Sequence, residues 1–341
     1  MMFNQNSCFI IAELSANHGG DVEIAKETIR AAKRAGADAI KLQTYTADTI
    51  TLDVKLPDFK IKQGTHWDGQ YLYDLYKEAS LNWDWHLPLF ELAKEVGLLC
   101  FSSPFDKTAV DFLETLNVPA YKIASFEIND IPLISYVASK KKPIIISTGI
   151  AGIEDIELAL TTCRNEGNHD ITLLQCTSAY PASPEDANLL MIPDLKKRFN
   201  VNVGLSDHTM GIEAPVVAVS LGARVIEKHF ILDRKIGGPD AHFSLDEIEF
   251  KQMVDAVRKA EKMMGKVSYE LTDKKLKSRE FSRSLYVACD IQKGEVLTEM
   301  NIRSVRPGFG LHTKFLKDVL GKRANQDILK GTPLNYNLID M

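Results

Sequence analysis

The sequence predicts an α/β chain: a (β/α)8 TIM barrel followed by a small β-rich C-terminal module. Two observations carry this. Short apolar or β-branched runs alternate with longer helical patterns eight times before residue 265, which is the pattern of parallel β/α units. After Gly265 the alternation stops: 266–280 is charged, and from Arg283 short strand-like runs are broken by Lys-Gly turns. A doubly wound open sheet would share the alternation, but no GxGxxG follows the first strand. The expected division is a barrel over 1–265, a linker over 266–284 and the module over 285–341, which 341 residues allow at roughly 150 per domain.

The first strand, 9–13, ends on Glu13, and Asn17, His18 and Gly19 supply a turn before a helix over 22–35, closed by Gly36. Strand two, 39–44, carries Lys41 and Gln43. After it comes a long irregular stretch, 47–69, with Pro57, Gly64 and Trp67, and connections of this length commonly form lids or binding loops. Trp67 lies in that candidate lid, whereas Trp83, Trp85 and His86 are expected in helix packing. Strand three, 98–103, ends on Ser102 and Ser103; strand four, 120–125, carries Lys122 and Ser125; strand five, 143–148, carries Ser147 and Thr148. Strand six, 171–177, ends on Thr177 and leads to Ser178 and Tyr180; strand seven, 201–207, ends on Asp207 beside His208; strand eight, 224–230, carries Lys228 and His229. A helix over 245–264, with Ile248, Val254, Val257 and Met264 among charges, closes the barrel. In the module, DIQKGEVLTEMNI (290–302) and DILKGTPLNYNLI (327–339) share D-I-x-K-G-x-x-L and a final Ile, 37 residues apart. That repeat predicts pseudo-symmetry, with little core of its own in so short a module.

Composition narrows the function. Hydrophobic residues at 45% and charged residues at 26% are those of a globular protein rather than a disordered, collagenous or disulfide-built one. A net charge of −5 gives no electrostatic footprint for nucleic acid or an anionic membrane. Five cysteines, Cys8, Cys100, Cys163, Cys176 and Cys289, lack CxxC or zinc-finger spacing and suit a reducing cytoplasm. The opening MMFNQNSCFIIAELSANHGG has no basic region and an apolar run of about six residues, too short for a signal sequence or a membrane span.

The chemistry is expected at the C-terminal ends of the strands, where TIM barrels place their sites. Parallel strands are normally near-continuous apolar runs, so polar residues on all eight strands point to one shared site. His208 and His229, at the ends of adjacent strands, can reach a common point and hold a divalent ion whose remaining positions take water or substrate; Mn²⁺, Mg²⁺, Co²⁺ and Zn²⁺ all fit such donors. Lys41 and Lys122 with Ser103, Ser125 and Ser147 make a basic, hydroxyl-rich patch for a carboxylate or phosphate. One of those lysines could instead form a Schiff base, as in an aldolase. Glu13 can act as general acid or base. Arg306, in SVRPGFGLH, reads on its own as a surface residue.

Over nearly its whole length the chain resembles the sialic acid synthase family. The motifs are IAELSANHGG (11–20), GADAIKLQTYTADTITL (36–52), FSSPFD (101–106), PAYKIASFE (119–127), ISTGI (146–150), CTSAYP (176–181), VGLSDHTMG (203–211), IEKHF (226–230), GGPDAHFSLD (237–246) and SVRPGFG (304–310). The resemblance implies a TIM barrel joined to an antifreeze-like (SAF) domain, in a homodimer that swaps this domain over the partner's barrel mouth. It implies condensation of phosphoenolpyruvate with an open-chain N-acetylated amino sugar to a nine-carbon 2-keto acid, with Mn²⁺ as the foremost metal and Mg²⁺ or Co²⁺ as substitutes. By motif position, His208 and His229 are implied as metal ligands; Lys41, Ser103, Lys122, Ser125 and Ser147 as phosphoenolpyruvate ligands; and Glu13 as the catalytic carboxylate. Gln43, Tyr180 and Asp240 are implied on the sugar side, with Arg306 entering from the other subunit. Ser178 stands where sialic acid synthases proper carry Asn, which removes an amide contact to the sugar. With 63–80 it resembles the pseudaminic branch, whose sugar is 2,4-diacetamido-2,4,6-trideoxy-L-altrose and whose product enters surface glycans such as those of flagellin. N-acetylneuraminate and legionaminate synthesis are the alternatives. A barrel kept only as a binding protein is disfavoured, because Glu13, Lys41, Lys122, His208 and His229 are all present.

Overall fold

The computed structural model describes residues 7–62, 64 and 67–340; Gln63, Thr65 and His66 of the 63–80 segment lie outside the described residues. The chain divides into two compact units after Gly265. In the first, strands β1 (Phe9–Glu13), β2 (Ala39–Thr44), β3 (Leu99–Pro104), β4 (Tyr121–Ile123), β5 (Ile144–Ser147), β6 (Ile171–Cys176), β7 (Asn202–Asp207) and β8 (Val225–His229) form a closed barrel. All neighbours are parallel, and β1 closes the ring on β8 with Glu13 level with His229.

Helices separate the strands and cover the barrel, as in Val22–Arg34, where Asp21 accepts the Glu23 N–H at the N-terminus. Most limits fall within one residue of the sequence expectation, and two differ by two residues. β4 stops at Ile123 because the backbone turns at Ala124 into a single 3₁₀ turn, Ser125–Glu127. The last barrel helix starts at Glu247 rather than 245: Asp246 caps it through Oδ1 to the Ile248 and Glu249 N–H groups, both 2.9 Å. Leu245 instead pairs its backbone with His229 and Ile231.

Strand alternation makes two cores. Inward residues Phe9, Ile11, Ala39, Phe101, Ile145, Leu174 and Val225 fill the barrel as one apolar plug. Outward residues such as Ile10, Ile40, Ile123, Ile146 and Ile226 join the larger core under the helices. Gly204 is required where β7 crosses the plug, since a Cβ there would lie 2.3 Å from the Val225 carbonyl oxygen. Above the plug the inward positions turn polar, and the floor of the site begins.

The long connection after β2 is partly ordered, with helix Ala47–Ile50, a 3₁₀ turn Pro57–Phe59 and a bridge from Lys60 to Tyr71 that leads into helix Leu72–Ala79. Trp67 of this loop reaches the barrel mouth, its ring centroid 5.9 Å from that of Tyr180. His86 is in the core: Thr44 Oγ1 lies 2.8 Å from its Nε2 and 2.6 Å from Ser102 Oγ, and burial pushes the imidazole down to about 4.

The second unit holds helix Asp273–Arg279 and the antiparallel pair β9 (Ser284–Val287) and β10 (Ile302–Val305). The two repeats face each other. Ile291 and Ile328 exchange both backbone hydrogen bonds, at 2.9 and 2.8 Å. Asp327 accepts the Lys293 N–H and Asp290 accepts the Lys330 N–H, each at 2.7 Å. The expectation of little core is corrected: Ile291, Leu297 and Ile302 with their counterparts Ile328, Leu334 and Ile339 are buried together with Leu285, Val287, Val319 and Ala324. No helix among the described residues is long and apolar enough to cross a membrane.

Candidate active site

Glu13, Lys41, Lys122 and Glu227 converge above the apolar plug, each no more than 4% exposed. Lys41 Nζ lies 2.7 Å from Glu13 Oε2, 3.7 Å from Glu227 Oε2 and 3.2 Å from Ser103 Oγ. Lys122 Nζ lies 3.2 Å from Glu227 Oε1, which also accepts from Ser206 Oγ at 2.9 Å. Two ammoniums and two carboxylates thus share one desolvated layer, where each charge depends on its partners. Burial raises the Glu13 carboxyl above its ordinary 4.5, and Glu227 adds to this against the pull of Lys41. Burial would raise Glu227 as well, but the charges of Lys122 and Lys41 and the Ser206 hydroxyl hold it at about 2. Lys41 is raised because Glu13 and Glu227 outweigh its burial, while Lys122 is lowered by burial and by repulsion from Lys41. Gln43 orients Glu13 by donating from Nε2 to Glu13 Oε1 at 3.0 Å and to Ser15 Oγ at 2.8 Å.

Beside the lysines, hydroxyls from three strand ends form a cradle. Ser178 Oγ donates to Ser125 Oγ at 2.8 Å, Ser125 Oγ accepts the Ile150 N–H at 3.2 Å, and Ser147 Oγ is buried without a hydrogen-bond partner. Gly149 makes the convergence possible: a Cβ there would sit 2.3 Å from Ser178 Oγ and 2.8 Å from Ser125 Oγ. Hydroxyls and a backbone N–H next to two ammoniums form a site for an oxyanion. Ser178 is turned into this cluster, its short side chain held by Ser125.

His208 and His229 stand across the mouth, ring centroids 5.3 Å apart. His208 Nδ1 is 2.9 Å from the Thr177 carbonyl, which only accepts, so Nδ1 carries the proton and Nε2 keeps its lone pair. His229 Nδ1 faces Asp240 Oδ2 at 3.5 Å and is buried without a hydrogen-bond partner. Asp240 is buried, which pushes its carboxyl up, yet the neighbouring His229 ring, Ser15 and the Ala16 N–H keep it below the ordinary range. The two imidazoles could hold one divalent ion between them. No group of three or more His, Cys, Asp or Glu arranged for a metal exists among the described residues, so the chain offers two imidazoles and leaves the other positions open. Such a pair fits a catalytic divalent ion rather than a structural one. Tyr180 and Phe243 wall the pair, at 4.5 Å from His208 and 4.9 Å from His229.

The first unit therefore brings together Glu13, Lys41, Gln43, Ser103, Lys122, Ser125, Ser147, Tyr180, His208, His229 and Asp240. Arg306 belongs to the second unit, where it lines a groove of about 560 Å³ with Leu271, Lys274, Lys275, Arg279 and Phe281. Several polar strand-end residues serve elsewhere. Lys228 and Asp207 pair with each other on the outer face of the barrel, Ser102 joins Thr44 there, and Thr177 Oγ1 ties its loop to the Asp186 carbonyl at 2.9 Å. Asn17 and His18 are buried rather than a bare turn, Asn17 Nδ2 donating to the Phe230 carbonyl at 3.0 Å and to Ser244 Oγ at 2.8 Å. Residue-level reading missed Glu227, Ser206 and Gly149. A period of two from His229 was the available signal for Glu227.

Comparison with known proteins adds the lineage. The NeuB family profile matches residues 28–269 and the SAF domain profile matches 282–340. The pseudaminic acid synthase of Campylobacter jejuni subsp. jejuni serotype O:23/36 is 54% identical over 96% of this chain and 95% of its own length. That of Helicobacter pylori is 50% identical over 97% of each. The crystal structure of an N-acetylneuraminic acid (sialic acid) synthetase from Leptospira borgpetersenii, in complex with citrate, superposes with a TM-score of 0.71 at 33% identity, covering 81% of this chain and 91% of that one. With its paired lysines and carboxylates at the mouth of a closed eight-stranded barrel, and these matches along almost all of its length, the chain belongs to the NeuB family.

Proposed function

We propose that the protein is a pseudaminic acid synthase, condensing phosphoenolpyruvate with 2,4-diacetamido-2,4,6-trideoxy-L-altrose to give pseudaminic acid and phosphate. The observation that carries it is the identity of 54% and 50% to two pseudaminic acid synthases, against 33% to a sialic acid synthetase.

In this reading Lys41 and Lys122 neutralise the substrate's carboxylate and phosphate, and Ser103, Ser125 and Ser147 accept or donate hydrogen bonds around them. A divalent ion held by His208 and His229, Mn²⁺ before Mg²⁺ or Co²⁺, supplies Lewis-acid polarisation of the sugar aldehyde when bound. The enol C3 attacks the aldehyde carbon, water adds at C2, and phosphate leaves with cleavage of the C2–O bond. Glu13, with a raised pKa and an orientation set by Gln43, moves the proton of that water or of the sugar hydroxyl. Gln43, Tyr180, Asp240 and Arg306 line the sugar side, Arg306 reaching it from the partner in a homodimer. The barrel over 1–265, linker over 266–284 and SAF domain over 285–341 serve that arrangement. Free cysteines suit a cytoplasmic enzyme that supplies surface glycans such as those of flagellin.

Mass spectrometry of the product formed with phosphoenolpyruvate, Mn²⁺ and each sugar in parallel tests this. A pseudaminic acid mass from the diacetamido sugar alone is expected; product from N-acetylmannosamine alone overturns the sugar and keeps the reaction. Gly149→Ala tests the oxyanion cradle. Its methyl displaces Ser125 and Ser178, so KM for phosphoenolpyruvate rises about tenfold or more while KM for the sugar changes little. An unaltered KM for phosphoenolpyruvate would move the phosphate elsewhere.

A further inference from the structure

Lys228 and Asp207 have no task in the mechanism above. Both lie on the outer face of the barrel, in columns that are otherwise apolar. Val203 and Leu205 precede Asp207 on β7, Ile226 precedes Lys228 on β8, and all three belong to the core under the helices. The two charged side chains form an ion pair there, each 1% exposed. Taking two charges out of water gains little over an apolar pair of the same volume; what such a pair adds is a fixed geometry.

The ion pair sits where that geometry is needed. β7 and β8 run in register from Gly204 opposite Val225 to Asp207 opposite Lys228, their last paired position. His208 and His229 come one residue later, where no pairing of these two strands sets the distance between them. Side chains take over at that point. Lys228 Nζ donates to Asp207 Oδ2 and, at 2.6 Å, to the Thr209 carbonyl oxygen. Asp207 Oδ1 accepts the Thr209 N–H at 3.0 Å and its hydroxyl at 2.8 Å. Asp207 and Thr209 are therefore tied together on the two sides of His208, and the lysine that holds both is the covalent neighbour of His229. The Ala182 N–H adds a bond to the His208 carbonyl oxygen at 2.9 Å, which fixes the same turn from the β6 side.

We propose that Lys228 and Asp207 are positioning residues for the metal pair. With Thr209 they form a clamp that locks the end of β7 to β8 and so keeps the His208 imidazole at the separation from His229 that a single divalent ion requires. The clamp touches neither substrate nor ion and acts through the backbone on either side of His208. The inference rests on the reading that His208 and His229 hold that ion.

Mn²⁺ titration of the metal-free, full-length protein, with the free ion counted by paramagnetic resonance, tests the clamp without any turnover. Asp207→Asn combined with Lys228→Met removes both charges at once, leaves no unpaired charge in the core, and keeps an acceptor for Thr209. The dissociation constant for Mn²⁺ is expected to rise about 10–100-fold. The unfolding midpoint of the metal-free variant stays within a few degrees of the wild type, and the visible spectrum of its Co²⁺ complex shifts as the donor geometry changes. Thr209→Val is a milder variant that removes only the hydroxyl bond to Asp207, and it weakens Mn²⁺ binding about threefold or more. Wild-type affinity and an unshifted Co²⁺ spectrum in the double variant make the pair a packing feature and overturn the role. Unchanged affinity in Thr209→Val overturns it as well, even where the double variant does not fold. A wild type that takes up neither Mn²⁺ nor Co²⁺ overturns both this role and the metal site beneath it.

Discussion

Glu13→Gln leaves a protein that binds phosphoenolpyruvate within a few-fold of the wild-type KM and turns over about 10²–10⁴ times more slowly. The substitution keeps the shape of the side chain and an acceptor for Gln43, 3.0 Å away, but removes the group able to exchange a proton. Lys41 loses its 2.7 Å ion pair and retains Ser103 and Glu227, so the cation stays in place to hold the substrate. The ionisation of Glu13, raised above 4.5 by burial and by Glu227, should disappear from the pH–rate profile together with the turnover. Single-turnover and steady-state phosphate release measure both. Near-normal kcat would remove Glu13 from the proton transfers and leave it a partner for Lys41.

Glu227→Gln is expected to cost about 3 kcal/mol of stability and to raise KM for phosphoenolpyruvate about tenfold or more. The carboxylate touches both lysines, and an amide in its place leaves two buried ammoniums against Glu13 alone. Lys122, already lowered by burial and by Lys41, then loses its carboxylate partner and gives up its proton more readily, which weakens the grip on an anion. The pH dependence has a definite sign. Glu227 at about 2 in the folded chain, against 4.5 as the reference, contributes stability that is present above about pH 4.5 and is lost as pH falls towards 2. Denaturant unfolding at several pH values should show that acid-side loss in the wild type and a smaller one in the variant. Equal stability across the range would mean that the layer does not depend on Glu227.

The barrel was legible because its strands are short and chemically uniform. The limits of β1 and β2 follow from apolar runs alone, and β4 is misjudged only where Ala124 leaves the strand for a 3₁₀ turn that no apolar pattern marks. Polar residues at the strand ends located the site but not its inside. Counting Lys228 and His229 as equals ignores the alternation of a strand, which sends Lys228 outward to Asp207 and brings Glu227 inward to the lysines. Gly149 and Ser178 were illegible for another reason: their importance lies in contacts between different strand ends, at distances that no local spacing encodes. The module's core was underestimated because six of its buried apolar residues come from two repeats that each look thin and become a core only when paired.

That pairing resembles a homodimer written into one polypeptide. In a two-fold assembly, residue i of one copy meets residue j of the other and j meets i; here Asp290 meets Lys330 and Asp327 meets Lys293 along a single chain. A duplicated clasp of this kind relaxes the constraint on the segment between the copies, because the fold is specified by the shared thirteen-residue rule. The chain after the first copy runs through β10 to Arg306 and is free to specialise for a ligand, while the architecture stays with the repeats.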